Sequence, residues 1–178
     1  MNQNVADRIV RDIRRKVERA IPEIVNRSVD VIKKDITDGL AIGRDIHNKP
    51  FRPLKPSTIY SKHYRNSPYP ERVLWDKGIM QNCYVIQRAT VSKPIAILIV
   101  PKSRKDIGKY HNEGTSPYVI RAKYTKYLRF IGSDGKWKQK KQVKHPGHPT
   151  REWFGVSVRA EKILAKLQRR IIERYFKG

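Results

Sequence analysis

The sequence predicts an α+β fold in which long N-terminal and C-terminal amphipathic helices pack a small antiparallel β-sheet, with a projecting basic β-hairpin. Three observations predict it: apolar residues recur at helical spacing near both chain ends, short β-prone runs lie between them, and an Asp-Gly pair separates two of those runs. The 178 residues include 38% hydrophobic side chains, which suits one modest core and predicts a single domain over residues 1–178.

The first predicted element is an amphipathic helix that begins near Val5. Its apolar positions follow steps of three and four, which mark one helical face: Val5, Ile9, Ile13, Val17, Ile21, Ile24, Val25, Val29, Ile32 and Ile36. Pro22 interrupts the pattern and predicts a kink or two abutting helices, and we expect Gly39 to end the second. We interpret this helix as the cover of a sheet; a helix lying on a membrane surface is the alternative.

Residues 43–59 predict an extended connector, because three prolines between positions 50 and 56 disfavour both a helix interior and a central strand. Phe51 and Leu54 are expected to anchor this connector. Ser57 is a candidate cap for a short helix that runs through Tyr64.

The next stretch, residues 73–82, predicts a turn with a short helical segment, and Asp76 and Gly78 are expected to form a tight turn there. Two strands should follow, Cys83 to Ala89 and Ile95 to Val100. The second is apolar throughout, which is typical of a strand covered on both faces.

We expect a third strand to begin at Tyr110-His111, beside a compact polar turn. Asn112-Glu113-Gly114 is typical of a tight turn that fixes the end of a strand. The residues expected to have a structural role in this turn are His111, Glu113, Gly114 and Thr115.

The strongest local signal is a β-hairpin within residues 118–144. Tyr127 to Ile131 and Trp137 to Val143 flank Gly132-Ser133-Asp134-Gly135, and glycine after aspartate accepts the positive φ that a hairpin turn needs. The second arm is too polar to be core on both faces, so we expect it to project. Its candidate contact residues for DNA or another subunit are Lys136, Trp137, Lys138, Lys140, Lys141 and Lys144.

The last predicted element is an amphipathic helix from Val158 onward. One face carries apolar residues and the remainder carries cations, several of them in the last turns, where they suit the helix dipole. The apolar positions are Ile163, Leu164, Leu167, Ile171 and Tyr175.

The charge of the chain favours a polyanionic partner. Lys and Arg total 40 and Asp and Glu total 16, so the formal net charge is 40 − 16 = +24. One cysteine, Cys83, excludes an internal disulfide framework and is typical of a reducing compartment. The first residues lack a signal-peptide core, and the longest apolar run, Ile95 to Val100, is too short to cross a bilayer. We therefore expect a soluble protein made in the cytoplasm, without a membrane partner.

The motifs argue against catalysis. His145 and His148 form an H-x-x-H pair, but the prolines and glycine around them indicate a loop, and no cysteine pair or carboxylate cluster completes a metal-ligand set. Cys83 lies in a strand-like run and is interpreted as a small apolar filler. We predict no catalytic residue, no metal site and no cofactor, and we do not expect an enzyme.

Nucleic-acid binding is compatible with the hairpin. Its lysines lie near Tyr124, Tyr127, Phe130 and Trp137, and cations mixed with aromatic rings track phosphate backbones in other proteins. The alternative is a solvated hairpin whose aromatic rings pack on the body or on another subunit. No base-reading motif occurs, so binding of this kind would be to the backbone and strongly salt-dependent.

Four segments in order resemble a known family. They are Ile46 to Ile59 (I-H-N-K-P-F-R-P-L-K-P-S-T-I), Val73 to Asn82 (V-L-W-D-K-G-I-M-Q-N), Tyr110 to Thr115 (Y-H-N-E-G-T) and His145 to Gly155 (H-P-G-H-P-T-R-E-W-F-G). Together they resemble the virion morphogenesis (tail completion) family of tailed bacteriophages, of the phage Mu and HK97 neck-protein type. The departures are Lys77 before Gly78 in place of threonine, Asn82 near the usual serine, and the insertion Glu152-Trp153.

The resemblance implies a structural subunit without catalysis, in an oligomeric ring, expected to be hexameric, at the head-proximal end of the tail. It implies partners among neck, tail terminator and tail tube proteins and the head connector, with genomic DNA in the channel, and a location in the virion neck. The final motif is expected to return the hairpin arm to the core, with Pro149, Arg151, Trp153 and Phe154 as its structural residues.

Overall fold

The structure, a computed structural model, describes residues 3–177. These residues form four α-helices, a 3₁₀ turn and six strands, so the predicted α+β class with long helices at both ends is confirmed. The helices are α1 (Gln3–Ile42), α2 (Pro56–Tyr64), α3 (Lys105–Glu113) and α4 (Val158–Phe176), and the 3₁₀ turn covers Lys102–Arg104. The strands are β1 (Tyr84–Gln87), β2 (Ile97–Ile99), β3 (Tyr118–Arg121), β4 (Leu128–Ile131), β5 (Trp137–Lys140) and β6 (Gln142–His145).

The strands pair in three separate antiparallel ladders. β1 pairs with β2, β3 with β6, and β4 with β5. The segment from β3 to β6 forms the arm, and β4 and β5 lie between β3 and β6 in the chain. We call the β4–β5 ladder, which is nearer the tip, the inner ladder. The predicted hairpin across residues 132–135 is confirmed, with Ile131 opposite Trp137. Gly135 has φ +72°, the left-handed conformation that the turn requires and that glycine adopts without a Cβ penalty.

The described chain groups into two compact units. The first contains the residues up to Asp35, Cys83–Ile99, and the residues from Val156 onward. The second contains Ile36–Asn82 and Val100–Gly155.

The first unit packs α1 against β1–β2 and α4. Buried side chains there include Ala20, Val29, Ala160 and Ile171. The Asn26 amide donates to the carbonyl of Ala89 over 3.0 Å and accepts from its N–H over 2.8 Å, so a single side chain satisfies both backbone groups of a residue just after β1. These contacts hold the short ladder on the helix.

Charged side chains reinforce the same unit. Arg88 donates to both carboxylate oxygens of Asp30, over 2.9 and 2.7 Å, and this hydrogen-bonded pair lowers the pKa of Asp30. Arg174 and the Tyr175 hydroxyl donate to Glu23, which links α4 to α1. Both pairs are exposed or half-buried, where solvent strongly screens the attraction between the charges. They orient the elements more than they stabilise them.

The helix α1 is continuous through Pro22, so the alternative of two abutting helices is wrong. Ala20 and Val29 are buried on either side of the proline, and burial on both sides favours one helix despite the missing hydrogen bond. Gly39 does not end the helix either. Gly43 does, with φ +71° and the two hydrogen bonds of a Schellman motif, from Arg44 to Gly39 and from Gly43 to Leu40.

The second unit contains α2, α3, the arm and the connecting loops around a small core. Its buried apolar side chains are Ile36, Leu40, Phe51, Met80 and Trp153. The expected third strand at Tyr110-His111 is wrong, because these residues belong to α3. The buried Gly108 and the buried Trp153 against it place this segment in helical contact with the core.

Three further expectations are wrong. The predicted helical segment within residues 73–82 consists of turns and bends. Ser57 does not cap α2: Lys55 is the N-cap residue and Pro56 opens the helix, where proline's fixed φ is suited to the first turn. The second strand is not covered on both faces, since Ile97 is 38% exposed at the edge of a two-stranded ladder.

The predicted C-terminal helix is confirmed as α4. Within residues 3–177, no helix has the length and apolarity that a membrane crossing needs.

Candidate nucleic-acid and subunit interface

The arm exposes its predicted contact residues to solvent. Every residue of β5 is exposed, and so are the lysines that precede and follow it. The exposed contact residues are Lys136, Trp137, Lys138, Lys140, Lys141 and Lys144.

Their side chains do not share one face. Side chains alternate across a strand, and the register puts Trp137 on the face of Arg129 and Gln139, while Lys138 and Lys140 lie on the face of Phe130 and Leu128. The Arg129 guanidinium lies 5.3 Å from the centre of the Trp137 ring. The cation beside the exposed indole is therefore Arg129, which sequence reasoning did not single out.

One face of the arm packs on α2. The rings of Tyr64 and Trp137 meet edge to face with centroids 4.9 Å apart. The α-carbon of Gly135 faces the Tyr60 ring, since a Cβ there would lie 3.6 Å from it. An open cleft of about 600 Å³ lies between α2 and the arm, with Leu128, Ile131 and other apolar residues in its wall. All four residues of β5 nevertheless remain exposed to solvent.

The tip of the hairpin carries one carboxylate among the lysines. The backbone N–H of Lys136 and the ammonium of Lys138 hydrogen-bond to Asp134 and lower its pKa. The Lys138 Nζ lies 3.3 Å from the carboxylate, which is exposed. This pairing partly offsets the charge of Lys138. The other cations of the arm are Arg121, Lys123, Lys126, Arg129, Lys136, Lys140, Lys141 and Lys144.

Most of the predicted structural residues are buried or half-buried in the second unit. Trp153, Phe51 and Arg151 are buried, whereas Leu54, Gly78, Pro149 and Phe154 are half-buried. The carboxylate of Asp76 lies 3.9 Å from the guanidinium of Arg65, at the limit of an ion pair. Gly78, in the adjoining turn, has φ +72°.

The segment after the arm docks on the end of α3 through backbone hydrogen bonds. Arg151 N–H donates to the carbonyl of His111 over 2.7 Å, and Thr115 N–H donates to the carbonyl of His148 over 3.0 Å. The Thr115 hydroxyl also accepts from His148 N–H over 2.8 Å. Gly114, with φ +76°, leaves the helix at this point, and a Cβ there would lie 2.8 Å from the Thr150 hydroxyl. Glu113 contributes its carbonyl, which accepts from Thr150 over 3.3 Å.

Asn112 has a structural role that the sequence predicts only as membership of a turn. Its side-chain oxygen accepts from the backbone N–H of both Trp153 and Phe154, each over 3.0 Å. The signal was available, because an asparagine near a helix end is a frequent acceptor for backbone donors. Which donors it would meet depends on a segment 41 and 42 residues away.

Three histidines lie in a row beside this docked segment. The ring centroids of His111 and His148 are 5.5 Å apart, and those of His148 and His145 are 4.9 Å apart. Burial, with the Arg151 and His148 charges, lowers the pKa of His111 to about 4. Burial, with His145 and nearby cations, also lowers the pKa of His148. The described residues contain no cluster of three or more side chains placed to hold a metal ion.

Lys62 has a structural role that sequence reasoning did not find. It is buried, and its ammonium donates to the carbonyls of Tyr69, Arg72 and Trp75 over 2.7, 2.8 and 2.7 Å. From the sequence alone, a buried lysine in a short helix cannot be told from a lysine that is exposed to solvent. Here it organises the loop after α2.

The first half of α1 exposes its apolar stripe. Val5, Ile9, Ile13, Val17 and Ile21 are each between 38% and 50% exposed. The same stripe farther along the helix is buried at Val29 and Ile36. We call the five exposed residues the α1 stripe.

Comparison with known proteins adds no relative: no protein-family model matches the chain, and neither a curated protein nor a solved structure is significantly similar to it.

Proposed function

We propose that this protein is a structural subunit of the neck or tail-completion ring of a tailed bacteriophage, and that it joins the tail to the DNA-filled head. Subunits made in the host cytoplasm would assemble into a ring and remain in the virion neck. The four ordered motifs that resemble the tail-completion family support this proposal, and so does the α1 stripe.

The α1 stripe is the observation that carries the assembly role. Five β-branched side chains at successive helical turns remain at least 38% exposed, and soluble monomers rarely leave a continuous apolar row uncovered. Burying such a row against a neighbouring subunit contributes about 25 cal/mol for each Å² of apolar surface removed from water. A subunit of this size cannot surround a duplex alone, so a ring requires surfaces of this kind.

The arm supplies the second contact. Its exposed lysines face outward from the inner ladder, and a polyanion or an acidic neighbour would neutralise them. Partners of matching chemistry are the neck, terminator and tube proteins, the head connector and the DNA that passes through the channel.

Mass measurement and electron microscopy of the purified protein test this proposal. We expect ring-shaped oligomers, hexameric on the resemblance, and expect the double variant Ile9→Glu, Ile13→Glu to be monomeric and folded by circular dichroism. The control replaces Arg8 and Arg11 of the same helix with glutamate, which changes the charge by more but leaves the α1 stripe intact, and it should still assemble. A wild-type protein that stays monomeric at high concentration, and virions that lack the protein yet keep their tails, would contradict the proposal.

A second function is favoured by a separate observation, the Arg129–Trp137 stack beside exposed lysines. On this alternative the protein binds nucleic acid without sequence preference and acts alone. Binding of duplex DNA by a monomer, with a steep salt dependence and no assembly, would select it.

A further inference from the structure

A cavity of about 290 Å³ lies within the second unit, between α2, α3 and the loop of residues 72–80. Its volume is enough for a ring-sized ligand, since an engineered cavity of about 150 Å³ binds benzene. Its apolar wall is formed by Leu54, Ile79, Met80 and Ile107. None of its lining residues belongs to the arm.

The loop that walls the cavity is held in shape by Lys62. Its three hydrogen bonds to loop carbonyls use all three ammonium protons, so this cation serves the wall rather than a ligand. Burial lowers the pKa of Lys62, which reflects the cost of keeping a charge there. The shape of the loop therefore exists before any ligand arrives.

Two further features fix the same loop. The Arg72 guanidinium lies over the rings of Tyr69 and Trp75, 5.0 and 5.2 Å from their centres. Leu74 lines the cavity with φ +57°, a left-handed conformation that costs a bulky residue free energy. Such strain persists only where surrounding contacts impose it, and it is concentrated at binding sites.

The charge around the cavity is strongly positive. Arg65, Arg72, Lys77 and Arg104 line it, and Asp76 is the one carboxylate among its lining residues. Lys62 also lines the cavity, with its ammonium bound to loop carbonyls. Arg65 meets Asp76 at 3.9 Å, at the limit of an ion pair, so Asp76 balances at most one of these five cations. An anionic ligand would find uncompensated guanidinium groups, which bind carboxylate and phosphate in a bidentate manner.

Two lining residues also have ring nitrogens without a partner. Trp75 Nε1 and His111 Nδ1 are buried and make no hydrogen bond to any described residue. An indole N–H only donates, and a buried donor without an acceptor is costly. The wall of the cavity therefore contains an unpaired donor in the ring of Trp75, whose N–H signal reports on changes at the site.

From these observations we propose that the cavity binds a small organic anion, in which an apolar ring-sized body carries a carboxylate or a phosphate. The body packs against Leu54, Met80 and Ile107. The anionic group meets Arg104 and Arg72, beside the ring of Trp75. The site goes beyond the assembly role, which does not require a ligand.

Nuclear magnetic resonance of the full-length protein tests this site. The indole N–H signal of Trp75 is assigned by its loss in Trp75→Phe, and the protein is titrated with phenylacetate, phenyl phosphate, benzyl alcohol and inorganic phosphate. We expect the Trp75 signal to shift and saturate with at least one aromatic anion, at about tenfold lower concentration than with benzyl alcohol or inorganic phosphate. The signals of Trp137 and Trp153 should not follow. Comparing the saturating concentrations of phenylacetate and phenyl phosphate identifies whether a carboxylate or a phosphate is preferred.

A charge-matched pair of variants provides the control. Arg104→Gln should weaken binding of the aromatic anion by about fivefold or more, whereas Arg129→Gln, which removes the same charge outside the cavity, should not. Circular dichroism establishes that both variants are folded; if Arg104→Gln is not, Arg65→Gln takes its place. No saturable shift with either aromatic anion, or equal weakening in the variant and its control, would overturn the site.

Discussion

The indole N–H of Trp153 donates a hydrogen bond to the carbonyl of Gly108 over 3.2 Å, and the indole ring also covers that glycine. A Cβ at Gly108 would lie 3.1 Å from Cζ2 of Trp153. Trp153 is 3% exposed. Gly108 of α3, which has no side chain, therefore packs against Trp153, the largest side chain of the segment that follows the arm. This contact holds the end of the arm on α3.

Truncating this tryptophan should destabilise the protein. Trp153→Ala removes a buried indole and its hydrogen bond, and we expect a loss of about 3–5 kcal/mol in the free energy of unfolding. Denaturant unfolding measures it. Trp137→Ala is the control, because Trp137 is 48% exposed and should cost far less. Equal losses in the two variants would show that Trp153 is not an anchor.

Adding a methyl group to Gly108, the other residue of this pair, should also destabilise the protein. Gly108→Ala in an exposed helix would gain about 1 kcal/mol from helix propensity. Here the new Cβ crowds the Trp153 ring, so we expect a net loss instead. A raised melting temperature in Gly108→Ala would contradict the close approach.

The start of α4 depends on a buried serine. The Ser157 hydroxyl accepts from Ala160 N–H over 3.0 Å and donates to the Asp35 carboxylate over 2.5 Å. Ser157→Ala removes the N-cap and deprives Asp35 of a donor, so we expect a loss of about 1–3 kcal/mol, measured by thermal or denaturant unfolding. Ser116→Ala, at an exposed position, should be neutral. Similar melting temperatures for the two variants would argue against the cap.

Stability should fall with acid because of His111. Its pKa is lowered to about 4 in the folded state, whereas an unfolded histidine titrates near its ordinary value of 6.5. Between these values the unfolded state binds more protons than the native state, so stability decreases as pH is lowered from 6.5 toward 4. The decrease is at most about 3 kcal/mol, and less because the ring is not fully buried.

Denaturant unfolding across this pH range, repeated with His111→Gln, isolates that contribution. The variant should have a flatter profile between pH 6.5 and about 4, while His63→Gln, at an exposed position, should follow the wild type. Parallel profiles for wild type and His111→Gln would show that this imidazole does not resist protonation.

The arm should govern any binding of DNA. Replacing Lys136, Lys140 and Lys141 with glutamine should lower the salt slope of duplex binding by roughly one for each of these lysines that pairs with a phosphate. The control makes the same charge change on α4, at Lys162, Lys166 and Arg170. Equal effects from both sets would indicate attraction to net charge rather than to the arm.

The arm should also be needed for assembly. We expect deletion of Ile131 to Lys141 to leave a folded protein that fails in head–tail joining, because the deletion removes the hairpin tip and most of its exposed cations while sparing the buried Trp153. Circular dichroism checks the fold, and the yield of tailed virions measures joining. A normal yield from the deletion would show that the arm has no part in assembly.

Local patterns predicted the elements whose causes are local. The Asp134-Gly135 pair predicts the hairpin because a turn is decided by a few adjacent residues. The spacing of apolar residues predicts α1 and α4 for the same reason. The strand expected at Tyr110-His111 failed because the helix is favoured by packing against Trp153, which lies 45 residues from Gly108.

Net charge, amphipathic periods and turn chemistry could be read from residue type and short spacing alone. Three features could not: the covered part of the α1 face, the burial of Lys62 against three carbonyls, and the contact of Trp137 with Arg129 instead of its neighbouring lysines. Burial and pairing depend on residues far apart in the chain, as in the hydrogen bond of Ser157 to Asp35 across 122 positions.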